Sequence, residues 1–401
     1  MIAGVAASAS DVTVTWAGRE GATRFQSFWL KLYSRKSDAY EDIAAHWTDG
    51  ANFHPRDLER GDGERIVGAA ALQDGQAMEV VWADAERCVF PAPWLWERAF
   101  LSDPVELIEP VRWDHTATFP SCSYAALMED DAALFALLRD FFAFGLVLVR
   151  DVPRRSRQIL AVADRISTLQ KSHLGEIFTV LPKSQGAGSI HIGETEDEIP
   201  LHIDLVYKQR PPDIQMLHVL QQIAGGGENV FVDALHILDQ LEPAELQLLR
   251  DVPVYFVAQS DSVHFRGLHP ILAWDSRGRF IGVHYNEYKI VFPVEAPAGY
   301  YGAFLHFQEV IKREVNTCAM TLPQDSVVIF HNRRTLHGRR AFHSLERHYE
   351  GCFVSEDDMK CRYRVLWERR RAEWGPPGHG QWPARDKEGE PCRGASTPSR
   401  A

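Results

Sequence analysis

His202 and Asp204 stand two residues apart in the run Pro200-Leu201-His202-Ile203-Asp204, and this pair constrains the fold more than any other stretch of the chain. In an extended strand, residues i and i+2 share a face. The run therefore offers an imidazole and a carboxylate to one point in space. Two histidines and one carboxylate on one side of a metal leave three coordination positions open, a facial arrangement suited to iron(II). The third ligand has to return from a distant strand. The best candidate is His337, in Phe330-His331-Asn332-Arg333-Arg334-Thr335-Leu336-His337-Gly338-Arg339-Arg340-Ala341-Phe342. It follows a β-rich run, Gly338 permits a tight turn, and the arginines around it call for acidic partners. Arg347, ten residues further on, suits an acidic co-substrate, because a guanidinium pairs bidentately with a carboxylate.

Each of these residues also has a plain reading. The chain carries 17 His, and a lone one is usually structural. A His-x-Asp pair also occurs as a strand-edge histidine beside a solvated aspartate, and most arginines are surface cations. The joint order and spacing of the four carry the metal reading. Bringing His337 beside His202 calls for many strands closed around the metal in a sandwich or barrel.

The 401 residues allow one large domain and a smaller one. The net charge of −12 argues against a nucleic-acid or anionic-membrane partner. No apolar run is long enough for a transmembrane helix, and the first residues lack the charged and apolar regions of a signal peptide. The six cysteines form no C-x-x-C pair, which predicts reduced thiols and a cytoplasmic protein.

Residues 1–11 are expected to be loose. Short alternating runs then predict strands: Val12–Trp16, Thr23–Phe25, Phe28–Leu30, Met78–Trp82 and Cys88–Phe90, followed by Trp94-Leu95. The two halves look alike, and 12–103 reads as a small strand-rich N-terminal domain. Helical spacing predicts helices over Ser123–Phe144, Arg154–Leu169, Ala234–Asp251 and Gly299–Glu314. Strands are expected at Leu146–Val149, around His202, and at Ile214–Leu220, Asn229–Asp233, Val252–Ala258, Phe280–Tyr285, Ser326–Phe330 and Arg347–Ser355. Residues 171–200 read as active-site loops, 121–372 as the main domain, and 373–401 as a disordered tail.

Together, the iron-type triad, the run Asn332–Phe342 with Arg347-His348, and the block Gly226-Gly227-Glu228-Asn229-Val230-Phe231-Val232-Asp233 resemble the Fe(II)/2-oxoglutarate-dependent oxygenases of the taurine dioxygenase superfamily. The N-terminal part, Val14-Thr15-Trp16 … Phe28-Trp29-Leu30-Lys31 … Ser37-Asp38-Ala39-Tyr40, resembles the small domain of the γ-butyrobetaine and trimethyllysine hydroxylases. The resemblance implies a mainly β fold with flanking helices: a double-stranded β-helix (jelly-roll) catalytic domain behind the small domain. It implies that His202, Asp204 and His337 ligate Fe(II), and that Arg347 pairs with 2-oxoglutarate, with Asn229 and Leu217 beside the co-substrate. Phe178, His191, Glu194, Asn286 and Phe353 become the substrate-pocket candidates.

The departures are specific. The zinc-ligand positions of the relatives' small domain read Ser34, Lys36, Ala39 and, near the histidine, Glu86, so no structural zinc is expected. The small domain must then rest on a core that includes Trp16, Trp29, Trp82 and Trp94. The aromatic-cage positions read Leu174, Phe178, Glu194 and Phe353, and Leu205 replaces a tyrosine, whereas Asn286 is retained. This weakens a trimethylammonium site, which needs several aromatic faces. The expected activity is hydroxylation of an unactivated C–H of a small polar, amine- or carboxylate-bearing metabolite, with O2 consumed and succinate and CO2 released. The alternatives are a desaturase or cyclase of the same class, a γ-butyrobetaine-like hydroxylase, a metalloenzyme without 2-oxoglutarate (which has no need of Arg347), and a non-catalytic metal-binding relative. The resemblance leaves a homodimer open.

Overall fold

The computed structural model describes residues 1–34, 40–41, 46–47, 65–100, 103–182 and 195–374. The chain divides into two units, Met1–Ser102 and Asp103–Gly375. Among the described residues no helix is long and apolar enough to cross a membrane.

The first unit is built twice from one scheme. Strands β1 (Ile2–Ala7), β2 (Asp11–Trp16) and β3 (Ala22–Gln26) form an antiparallel sheet, and helix α1 (Ser27–Ser34) follows. After the short pair β4 (Tyr40–Glu41) and β5 (His46–Trp47), strands β6 (Ile66–Leu72), β7 (Ala77–Trp82) and β8 (Arg87–Pro91) and helix α2 (Ala92–Phe100) repeat it. Even the ladder irregularity recurs, between Ile2 and Gly4 and between Ile66 and Gly68.

Two expectations are corrected here. The first residues are not loose, because Ile2 is buried and β1 pairs along β2. The segments at Phe28–Leu30 and Trp94–Leu95 are helical rather than extended. Trp29 and Tyr33 lie four residues apart with ring centroids at 4.7 Å, a helix-face contact. Trp16 and Trp82 are core residues, with Trp29 and Trp94 packed against them and 5.5 Å from each other. Of the residues at the relatives' zinc positions, Lys36 and Ala39 lie outside the described residues. Glu86 instead takes a hydrogen bond from Lys31, which is buried beneath Trp82 and also bonds Asp84.

In the second unit, β9 (Ser121–Ser123) leads to α3 (Tyr124–Glu129) and α4 (Asp131–Phe144), then β10 (Leu146–Arg150). One helix was expected over this span. Asp130 breaks it by capping α4 through the Ala132 N–H, just as Ser123 caps α3. Gly145 ends α4 at φ 72, a conformation glycine adopts without cost. Next come α5 (Ile159–Ile166), β11 (Phe178–Val180), β12 (Ile199–His202), β13 (Ile214–Gln221) and β14 (Asn229–Asp233). Helix α5 is shorter than expected, starting two residues after Arg157 takes a left-handed φ of 66. The span 234–251 is likewise broken, into α6 (Ala234–Ile237) and α7 (Pro243–Asp251), with Pro243 opening the second helix.

Strands β15 (Pro253–Gln259), β16 (His264–Pro270), β17 (Leu272–Trp274), β18 (Phe280–Val283) and β19 (Ile290–Val291) precede α8 (Tyr300–Lys312). The chain then makes β20 (Cys318–Met320), β21 (Val327–His331), β22 (Thr335–Arg339), β23 (His348–Val354) and α9 (Glu356–Trp374). The strands β16, β17, β19 and β20 and helix α9 were not expected, and His337 lies on the strand β22 rather than on a turn. The expected tail loses residues 373 and 374 to α9, and the rest of it lies outside the described residues.

Two sheets position the site. One has the order β11-β23-β13-β21-β10-β9, the other β12-β22-β14-β20. Alternation along the buried strands sorts side chains into layers. Leu146 and Leu148 point between the sheets with Leu217, Phe231, Val328 and Phe330. Val147 and Val149 point the other way, into a core shared with α4, α5 and α9. Val232 and Leu336 leave the back of the four-stranded sheet to meet Phe304 and Phe307 of α8.

Candidate metal and co-substrate site

β12 and β22 are antiparallel neighbours, and their register sets His202 directly opposite His337. The ring centroids are 4.2 Å apart. The strand ends at His202, so Asp204 does not arrive by strand alternation, as the sequence suggested. It opens a turn in which Leu205 takes a left-handed φ of 53. Even so, one donor atom from each of His202, Asp204 and His337 lies within 4.8 Å of the others. Both histidines present Nε2 to Asp204 Oδ1, at 3.3 Å from His202 and 3.9 Å from His337.

The protonation pattern suits a cation. His202 Nδ1 lies 2.8 Å from the Pro200 carbonyl, which satisfies a proton on Nδ1 and leaves Nε2 as the ring atom aimed at Asp204. Burial and the neighbouring His202 push His337 down to about 3, so its ring is neutral. Its Nδ1 has no partner of good hydrogen-bond geometry, although the Thr335 carbonyl lies on that side. Burial alone would raise Asp204. The hydrogen bond and charge of His202 and a hydrogen bond from Gln215 outweigh that and lower it. Burial opposes charge on His202, but Asp204 raises it overall. Two imidazoles and a carboxylate facing one another at a half-buried position are a donor set that a divalent cation satisfies.

Arg347, just ahead of β23, is 1% exposed. It donates to Asn229 Oδ1 at 3.2 Å and lies over the Tyr349 ring at 3.7 Å. Burial lowers its basicity. Its Nε has no partner, and among the described residues it pairs with no carboxylate. A buried guanidinium left in this state calls for an anion. Arg339 stands beside Asn229 in the ladder and holds the carbonyls of Thr195 and Asp197 at 2.6 and 2.7 Å. Burial and the charge of Arg347 lower Arg339 to about 10.

The other candidates fall into place unevenly. Leu217 lies in the apolar layer between the sheets. Phe178 and Phe353 pack at 5.2 Å, and Gly351 makes room for them, since a Cβ there would meet Phe178 Cζ at 2.2 Å. Asn286 bridges to His202, but its Oδ1 is taken by the Tyr288 N–H. His191 and Glu194 lie outside the described residues. Sequence reasoning missed Gln215 as a partner of Asp204 and passed over the roles of Tyr207 and Asn332. Gln215 had a signal, as a lone amide in the apolar run Ile214–Leu220. Tyr207, pushed up by burial and by the Asp204 charge, stacks on Phe265 at 5.7 Å.

Comparison with known proteins agrees with this geometry. The chain is 29% identical over 381 residues to the γ-butyrobetaine dioxygenase of Pseudomonas sp. (strain AK-1), covering 91% of this chain and 96% of the relative. It is 24% identical to the mitochondrial trimethyllysine dioxygenase of Rattus norvegicus, over 86% of this chain and 83% of that one. Among solved structures, PvcB from Pseudomonas aeruginosa aligns with a TM-score of 0.47 and 20% identity, covering 65% of this chain and 95% of that one. The sequence pattern of the taurine catabolism dioxygenase TauD, TfdA family matches residues 113–353. The chain therefore belongs to the TauD/TfdA family and is an Fe(II)- and 2-oxoglutarate-dependent dioxygenase.

Proposed function

We propose that His202, Asp204 and His337 hold the Fe(II), and that Arg347, steadied by Asn229, receives the distal carboxylate of 2-oxoglutarate. The convergence of the three donors carries this reading. The buried, carboxylate-free Arg347 supports the second half. Bound there, Fe(II) supplies the O2 activation that couples oxidation of 2-oxoglutarate to succinate and CO2 with oxidation of a C–H bond. The chain's own part is electrostatic and steric. Gln215 and His202 hold Asp204 in its ionised form. Arg347 fixes the co-substrate at its far end, and the apolar layer around Leu217 and Phe330 excludes water.

The two facing sheets are read here as a double-stranded β-helix, and the first unit as an accessory domain like that of the γ-butyrobetaine relatives. The substrate is a small polar metabolite bearing an amine or a carboxylate, and the reaction is hydroxylation. The named activities of the two relatives support the class. Phe178, Phe353 and Asn286 are the pocket residues assigned to it. An anaerobic titration of Fe(II) and 2-oxoglutarate into metal-free protein tests the site. A visible charge-transfer band is expected in wild type, absent in His337→Ala and weakened in Arg347→Ala. No band in wild type would reject the site. Succinate release across a panel of amines and amino acids then tests the substrate class.

A further inference from the structure

Of the three donors, Asp204 alone lies on no strand. Its place depends on a turn whose second residue, Leu205, sits in the left-handed region that a side chain disfavours. Something outside the turn has to hold it, and one side chain does. Asn332 is fully buried, on the turn between β21 and β22. Its Oδ1 accepts the Asp204 N–H at 2.8 Å. Its Nδ2 donates to the Asp204 carbonyl at 3.1 Å and to the Pro212 carbonyl at 2.9 Å. The Asn332 N–H donates to the Asp213 carbonyl at 2.8 Å, and Arg333 Nη2 lies 3.0 Å from Asp213 Oδ1. Both ends of the segment 204–213 are thus closed onto the turn that carries His337 five residues later.

We propose that Asn332 is a positioning residue for the metal site: it fixes the backbone of Asp204 so that the carboxylate faces His202 and His337 before any metal arrives. The proposal rests on the reading of these three residues as metal ligands. A purely structural asparagine would satisfy buried groups anywhere. This one spends its acceptor and one of its donor bonds on the N–H and C=O of a single residue, the one donor of the three that no strand holds. Without it, the Asp204 N–H and two carbonyls lose their partner. The turn is then free to relax out of its left-handed step, and the carboxylate leaves the geometry the cation needs. Groups that orient metal ligands from behind typically change metal affinity by about 10- to 100-fold.

The test uses Co(II) as the probe, titrated anaerobically into the metal-free full chain and followed by its visible d–d absorption, with thermal unfolding measured in parallel. Asn332→Ala is expected to weaken Co(II) by about 10- to 100-fold and to alter the bound spectrum. Asn332→Asp keeps an acceptor for the Asp204 N–H but loses the donor to the carbonyls, and is expected to fall between. Asn316→Ala is the matched control, because Asn316 is also a buried asparagine, donating to the Val310 carbonyl at 2.8 Å and to Gln240 at 3.0 Å. It is expected to lower the melting temperature with Co(II) affinity and spectrum unchanged. Wild-type Co(II) binding in Asn332→Ala, or in Asn332→Asp if the alanine variant does not fold, would overturn the proposal and leave Asn332 a stabilising residue only. If wild type takes up no Co(II), or His337→Ala binds it as well as wild type, the metal-site reading itself falls, and the proposal with it.

Discussion

The two sheets of the second unit face each other with different contents. The inner face of the four-stranded sheet carries His202, His337, Arg339 and Asn229. The inner face of the six-stranded sheet carries Leu148, Leu217, Val328, Phe330 and Phe353, with Gln215 and the Tyr349 hydroxyl as polar intruders. One wall holds charge that costs free energy to bury, and the other contributes apolar area that offsets it. Chemistry and stability are therefore separable by wall, and substitutions can test that separation.

The largest effect is expected on the polar wall. His337→Ala removes a proposed ligand and should lower Fe(II) affinity by well over the roughly 100-fold seen when supporting groups are lost. Its melting temperature should hold or rise, because a buried imidazole is gone. Leu148→Ala on the opposite wall should do the reverse. It should cost about 2–5 kcal/mol of stability, read by denaturant unfolding, with Fe(II) affinity per folded molecule unchanged. If Leu148→Ala abolishes metal binding without loss of stability, the division by wall is wrong. Arg347→Met keeps the stem and removes the guanidinium, so Fe(II) binding should persist. The Kd for 2-oxoglutarate should rise by roughly 10- to 100-fold, the worth of one or two charge-assisted hydrogen bonds.

Gly351→Ala probes the proposed pocket on the six-stranded wall, where Gly351 pairs with Phe178. Its methyl overlaps the Phe178 ring, so an overpacking cost of about 1–3 kcal/mol is expected, with substrate KM altered more than 2-oxoglutarate affinity. Gln215→Leu should be the mildest change. Removing the hydrogen bond lets Asp204 protonate at higher pH, so metal binding should be unaltered at neutral pH and fail sooner on acidification. A uniform loss at all pH values would show that Gln215 supports the wall itself.

What the sequence disclosed follows from how local each determinant is. β14 was legible to its last residue, because Asn229–Asp233 is a short apolar run fenced by Gly225-Gly226-Gly227, all three at positive φ. His337 was legible because a dense motif surrounds it. Asp204 was assigned its function on a mistaken local premise, since its position depends on Asn332, 128 residues away. Helix α9 was hidden by its charge. Its apolar stripe is Met359, Tyr363, Leu366 and Trp367, which becomes visible once Tyr363 stacks on Phe135 at 4.8 Å. The edge strand β16 was missed because its alternation (His264, Phe265, Arg266, Gly267, Leu268) lacks a clear apolar face. It is shaped by pairing with β15 rather than by burial.

The pairing of β12 with β22 has a consequence for the life of the molecule. Among the described residues, β12 pairs in its sheet with β22 alone, and β22 separates it from β14. While the chain is being synthesised, the strand bearing His202 must wait, without its ladder partner, for a segment 135 residues later. The proposed metal site is therefore incomplete on a nascent chain that stops short of His337. A product truncated before that strand would carry only two of the three proposed ligands, His202 and Asp204.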